Sequence, residues 1–217
     1  MKMNLFITGI GTEIGKTVCS AILATYFKAD YWKPIQSGDL HYTDSMKIKD
    51  WVGEQTICHP ETYRLILSAS PHQSASEENI SIKIDDFQLP KSSNHIIVEG
   101  AGGLMVPLSD TEFMIDLIVK LNIPVVMVVR NYLGCINHSL LSILVLKQKK
   151  IKLEYVIFNG DFPEDTERVI RKNINKETKI INIPEIESLT KKNIECITKK
   201  IKIQDHEYKN RAQKQLE

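Results

Sequence analysis

The chain has 217 residues, with 28 Lys and Arg against 27 Asp and Glu, a net charge of +1, and 42% hydrophobic residues. That size favours one domain, residues 1–217, and the composition excludes disorder, collagen and a whole-chain coiled coil. A near-neutral balance creates no global field that would gather nucleic acid or acidic lipid, so neither nucleic acid nor a membrane is expected as a partner.

Residues 3–8, Met-Asn-Leu-Phe-Ile-Thr, form a near-continuous apolar run, as a strand buried on both faces does. A glycine-bearing turn over 9–15 leads into a helix from Lys16 to about Lys28. A second strand is expected over 31–35. Residues 38–78 are the least regular stretch, with short helices predicted at 45–52 and 71–78. A strand over 95–98 runs into the small-residue turn Glu99-Gly100-Ala101-Gly102-Gly103. A further strand, 124–129, precedes a helix from about Asn137 to Lys149. Strands at 153–158 and 179–183 bring the set to about six. The last helix gathers Ile186, Leu189, Ile194, Ile197 and Ile201 near one face. Its Lys191, Lys192, Lys199 and Lys200 lie opposite, as a solvated face does. The chain turns polar after Gln204, and residues 204–217 are expected to fray. Alternating strands and helices predict an α/β fold: a three-layer, doubly wound, mostly parallel sheet.

The four cysteines, Cys19, Cys58, Cys135 and Cys196, contain no C-x-x-C pair. That argues against a zinc site and a disulfide framework, and suits a reducing cytoplasm. The apolar start is too short for a signal-peptide core, and the run 123–129 is strand-length rather than membrane-length.

The strongest chemical signal is Gly9-Ile10-Gly11-Thr12-Glu13-Ile14-Gly15-Lys16-Thr17, set between the first strand and first helix. Glycines there let backbone N–H groups turn around phosphate oxygens, and the helix N-terminus adds its positive dipole end. Lys16 can reach the β- and γ-phosphates, and the Thr17 hydroxyl can ligate Mg²⁺. The usual spacing is G-x-x-x-x-G-K-[ST]; this loop is one residue longer, counted from Gly9. It is read as a P-loop, the nucleotide-binding turn of the P-loop NTPase fold. A second oxygen ligand for Mg²⁺ is expected at the end of a neighbouring strand, and Glu99 stands there.

Four segments together resemble the dethiobiotin synthetase family: the loop 9–17, Lys33-Pro34-Ile35-Gln36-Ser37-Gly38, Glu99-Gly100-Ala101-Gly102-Gly103, and Leu133-Gly134-Cys135-Ile136-Asn137-His138. Weaker matches continue through Asn159 and Pro184. The resemblance implies an ATP- and Mg²⁺-dependent ligase of biotin biosynthesis. It would carboxylate 7,8-diaminopelargonate with CO₂ (or bicarbonate) and close the ring to dethiobiotin. The route runs through a carbamate and a carbamic–phosphoric anhydride, so positioning and charge stabilisation dominate.

On that resemblance Lys16, Lys33 and Thr12 are the catalytic residues. Glu13, Ile14, Gly15, Lys16, Thr17, Val18, Glu99, Gly100, Ala101, Gly102, Asn159 and Pro184 would bind nucleotide. Thr12, Lys33, Ser37 and the turn Gly134, Cys135, Ile136 and Asn137 would bind substrate. The turn would come from the partner subunit of a homodimer and receive the substrate carboxylate. Thr17, Glu99 and Asp44 would hold Mg²⁺, with Asp39 and Asp50 as alternatives to Asp44. Alanine at Lys16 or Lys33 is expected to abolish turnover with the fold intact. Near the last strand, Asn182-Ile183-Pro184 lacks a glycine common in the family, which leaves open whether other nucleoside triphosphates serve.

The rival reading is an ATPase switch of the septum-site or plasmid-partition type. Those proteins usually carry a lysine near the start of the P-loop, where this chain has Gly9-Ile10-Gly11.

Overall fold

The first apolar run builds β1 (Asn4–Gly9), buried from Leu5 onward, in the middle of a seven-stranded sheet. The computed structural model describes residues 2–206. After β1 come α1 (Lys16–Phe27), β2 (Asp30–Trp32), β3 (Ile35–Ser37), α2 (Asp44–Val52), β4 (Cys58–His59), β5 (Tyr63–Leu65) and α3 (Pro71–Glu77). The second half holds β6 (Ile96–Gly103), α4 (Met114–Leu121), β7 (Val125–Arg130), α5 (Cys135–Gln148), β8 (Leu153–Asn159), α6 (Glu164–Asn173), β9 (Lys179–Ile183) and α7 (Lys191–Lys200).

The sheet runs β4-β2-β6-β1-β7-β8-β9, and its strand pairs are parallel throughout. Burial on both faces explains the unbroken apolar runs of β7, residues 125–129, and β8, residues 155–158. Helices α1, α2 and α7 pack on one another, and α5 packs on α6, giving helical layers on both faces of the sheet. β1 lies between β6 and β7, so the chain crosses from one side of β1 to the other after β6. In doubly wound sheets ligands bind where strand order reverses, beyond the carboxyl ends. The glycine loop stands at that point.

The expected strand over 31–35 is two strands. Pro34 has no N–H to give to a ladder, so β2 ends at Trp32. The chain leaves the main sheet there, and β3 pairs with β5 in a separate two-stranded sheet. The expected turn at 99–103 is strand instead: β6 continues to Gly103, which pairs with Gly9 across a bulge. A Cβ on Gly103 would lie 3.1 Å from the Gly9 carbonyl oxygen, so the close strand approach favours glycine there.

Helix α5 begins at Cys135, two residues earlier than expected, with Gly134 as its left-handed cap. Helix α7 begins at Lys191, where the Thr190 hydroxyl accepts the Asn193 N–H; Ile186 and Leu189 precede it. Its four lysines are exposed, as a solvated face requires. Gln204 is bridged to Ile180 in the β9 edge, and the rest of the expected polar tail, from 207 on, lies outside the described residues. Among the described residues no helix is long and apolar enough to cross a membrane.

Candidate active site

The loop between β1 and α1 wraps the N-terminus of α1. Gly15 caps that helix at φ 86°, a left-handed conformation that disfavours side chains. A Cβ there would stand 2.2 Å from Asn159 Nδ2. The Asn159 amide instead donates to the Ile14 carbonyl at 2.9 Å, tying the end of β8 to the loop. Asn159 also pairs with Ile183 in β9, so Asn159 and Pro184 lie together beside the loop. Glu13, exposed, takes φ 57° without being glycine. Lys16 folds back and donates to the Gly11 carbonyl at 2.8 Å. Burial, and then the charge of nearby Lys33, lower its pKa to about 8.

β6 delivers Glu99 to the same place. Its carboxylate is 1% exposed. Oε1 accepts the Thr17 hydroxyl at 2.9 Å and the Lys33 ammonium at 3.0 Å. Oε2 accepts the Tyr31 hydroxyl at 2.9 Å. Lys33 comes from the break after β2, and its ammonium also reaches Asp44 Oδ2 at 2.8 Å and the Gly100 carbonyl at 3.3 Å. Burial works against that charge, but the two carboxylates outweigh it and hold the Lys33 pKa above its usual value. Burial would raise the Asp44 carboxyl; Lys33, and then Lys47 at 3.2 Å, hold it below the usual carboxylate range instead.

The first turn of α2 brings in Asp44. Thr43 caps the helix through the Met46 N–H, and the Asp44 N–H donates to Gln36 Oε1 at 3.2 Å. Of the three candidate acids, Asp44 is therefore the one beside Lys33 and Glu99. Asp50 accepts the Tyr42 hydroxyl at the surface, and Asp39 is exposed.

Thr17, Glu99 and Asp44 offer hard oxygen donors of the kind Mg²⁺ takes. An ammonium already rests between two of them, so the pair accepts a cation. The donor set fits the metal.

Thr12 is exposed on the loop, with its hydroxyl oxygen 3.5 Å from where a Cβ on Gly102 would sit. It borders a cavity of about 370 Å³, walled by the loop backbone, Val106 beyond β6, and His138, Leu141 and Val145 of α5. The Ser37 hydroxyl is buried without a hydrogen-bond partner. Val18 is half-buried in the first turn of α1. Gly100, Ala101 and Gly102 run along β6 beyond Glu99. Gly134, Cys135, Ile136 and Asn137 form the N-terminal end of α5, with Asn137 exposed there in the first turn.

The sequence reading missed Tyr31 and Gln36, which orient Glu99 and Asp44. Tyr31 belongs to no motif, and Gln36 lies within the segment Lys33–Gly38 without a role assigned to it there; their contacts follow from pairing between β2 and β6 and from the turn into α2.

A family model described as an AAA domain matches residues 3–193. A relative from Christiangramia forsetii, named ATP-dependent dethiobiotin synthetase BioD, is 47% identical over 79% of this chain and 83% of its own length. One of the same name from Cytophaga hutchinsonii is 43% identical over 86% of this chain and 90% of its own. The chain belongs to the dethiobiotin synthetase family. Among solved structures, a ParA family ATPase from Chlorobium tepidum superposes with a TM-score of 0.55 at 12% identity, over 91% of this chain and 98% of that one. That likeness shows the fold alone. It is the P-loop fold common to such ATPases and to dethiobiotin synthetases.

Proposed function

We propose that this chain is an ATP-dependent dethiobiotin synthetase, a ligase of biotin biosynthesis acting in the cytoplasm as a homodimer. The observation that carries the reading is the convergence of Lys33, Glu99, Asp44 and Thr17 beside the P-loop lysine. In the proposed sequence, one amine of 7,8-diaminopelargonate adds to CO₂ and loses a proton, giving a carbamate. A carbamate oxygen then takes the γ-phosphoryl group of ATP, releasing ADP. The second amine attacks the carbamoyl carbon of that mixed anhydride, closing the cyclic urea and expelling phosphate.

The chain's own residues suit the demands of each step. The N–H groups of the loop over 11–17 and the α1 dipole would cradle the triphosphate. Lys16 would neutralise charge between the β- and γ-phosphates, and Lys33 would turn its ammonium from the carboxylates toward the carbamate and γ-phosphate. Thr17, Glu99 and Asp44 would hold Mg²⁺, which when bound supplies charge neutralisation on the phosphates. Hydroxyls of Thr12 and Ser37 would orient the diamine, and the cavity beside Thr12 suits an aliphatic chain. The carboxylate at the end of that chain would meet the N-terminus of a partner's α5, around Gly134, Cys135, Ile136 and Asn137. Asn159 and Pro184 would flank the base.

The test is phosphate release with MgATP, adding bicarbonate and the diamine separately and together, with product mass read alongside. Release is expected only with both, one dethiobiotin per phosphate. Steady hydrolysis indifferent to both would overturn the reading in favour of an ATPase switch.

A further inference from the structure

We infer that Tyr31 is a positioning residue for the metal site, holding the Glu99 carboxylate so that one oxygen, Oε1, is presented to the cation. This rests on the proposed role of Glu99 as a ligand. Tyr31 is fully buried in β2, and pairing between β2 and β6 sets Tyr31 against Ile97, two residues before Glu99. Its hydroxyl donates to Oε2 at 2.9 Å, while Thr17 and Lys33 converge on Oε1. The donors are therefore divided: the side of the carboxylate away from the loop is engaged by a phenol, and the side facing Thr17 is engaged by exchangeable partners.

A carboxylate rotates readily about its terminal torsion, whose energy profile is broad. A rotated Glu99 would offer a metal both oxygens or neither in the plane of Thr17. Tyr31 removes that freedom because the phenol has a rigid ring, a buried position and one proton to give. Outer partners that orient a ligating carboxylate are worth about tenfold to a hundredfold in metal affinity. The only change needed to remove the effect is one oxygen atom, since phenylalanine fills the same ring volume.

The experiment measures the affinity of a non-hydrolysable ATP analogue with saturating Mg²⁺ and again in chelator, for wild type, Tyr31→Phe, Glu99→Gln and the double variant. The ratio of the two affinities reports the metal's contribution. Tyr31→Phe is expected to cut that ratio about tenfold while leaving the chelator value unchanged. In the Glu99→Gln background the same substitution is expected to add nothing, because the two residues act through one contact. Equal loss with and without metal, or no change in the ratio, overturns the inference. So does failure of both Tyr31→Phe and the alternative Tyr31→Met to fold, which assigns the phenol a purely structural role. If Glu99→Gln itself leaves the ratio intact, the ligand role of Glu99 fails, and that outcome is distinct from failure of Tyr31 alone.

Discussion

Lys33 is tied more tightly than a lysine waiting for substrate needs to be. It is 5% exposed and paired with both Glu99 and Asp44. Removing one member of a buried ionic cluster leaves the others uncompensated, a loss of about 3–5 kcal/mol. Against a total stability of about 5–15 kcal/mol this is large, so Lys33→Ala is expected to lose thermal stability as well as turnover. That revises the expectation of an untouched fold drawn from the motif alone. Two carboxylates left facing each other are also a stronger cation site. Mg²⁺ without nucleotide is therefore expected to raise the melting temperature of Lys33→Ala more than that of wild type. Melting curves in chelator and in Mg²⁺ check this. A variant with wild-type stability in chelator would mean that the carboxylates are not held together by Lys33.

Asp30 joins segments far apart in sequence, at the other end of β2 from Lys33. It is fully buried and accepts from Ser92 Oγ at 2.6 Å, Asn94 Nδ2 at 3.0 Å and His59 at 3.2 Å. Burial pushes its pKa up, but these donors outweigh it and hold the carboxyl below its usual 3.8. A folded-state value depressed below the unfolded one stabilises fully above pH 3.8, and that contribution disappears as pH falls through the folded value. Asp30→Asn is expected to be about 1.5–3 kcal/mol less stable at pH 7, the range for hydrogen bonds to charged groups. The gap from wild type should begin to narrow as pH falls below 3.8. Urea unfolding across that interval checks it, and a gap independent of pH would remove the carboxylate from the account.

What the sequence made legible follows the same division between local and distant contacts. Lys16, Thr17 and Glu99 could be read because a phosphate loop and an acid after an apolar strand are local patterns. β1, β7 and β8 were legible because double burial writes near-continuous apolar runs, and β9 because its three isoleucines stand together as a short apolar segment. β4 and β5 were not, being two and three residues long with no room for a period. α4 was hidden because it is only eight residues long, about two turns of helical period, and lies close before the longer apolar strand β7. α6 was hidden for a different reason: it is mostly charged, with Ile170 its buried apolar residue. The roles of Tyr31 and Gln36 depend on register and loop path, which no single segment encodes.

The surface gives one more consequence, and it concerns assembly. Leu141 and Leu144 stand three apart on α5 and are exposed; Met105, which lines the cavity with Leu141, is exposed as well, and so is Leu133 just ahead of the helix. A lone apolar residue on a surface is ordinary, but leucines repeated along one helix face beside a cavity suit coverage by another subunit. The proposed homodimer would cover them, and would bring a partner's α5 N-terminus to the open side of the cavity proposed to hold the diamine. Leu144→Glu puts a charge where that contact would close. Its expected effect is a monomer by light scattering. The KM for the diamine should rise about tenfold or more as the partner's share of the carboxylate site is lost. Nucleotide affinity should hold within about twofold, because the loop, Lys16 and Asn159 all come from one chain. The split between the two constants is the decisive reading. A monomer with unchanged diamine KM would mean that each subunit carries a complete site, and a variant that stays dimeric would move the interface away from α5.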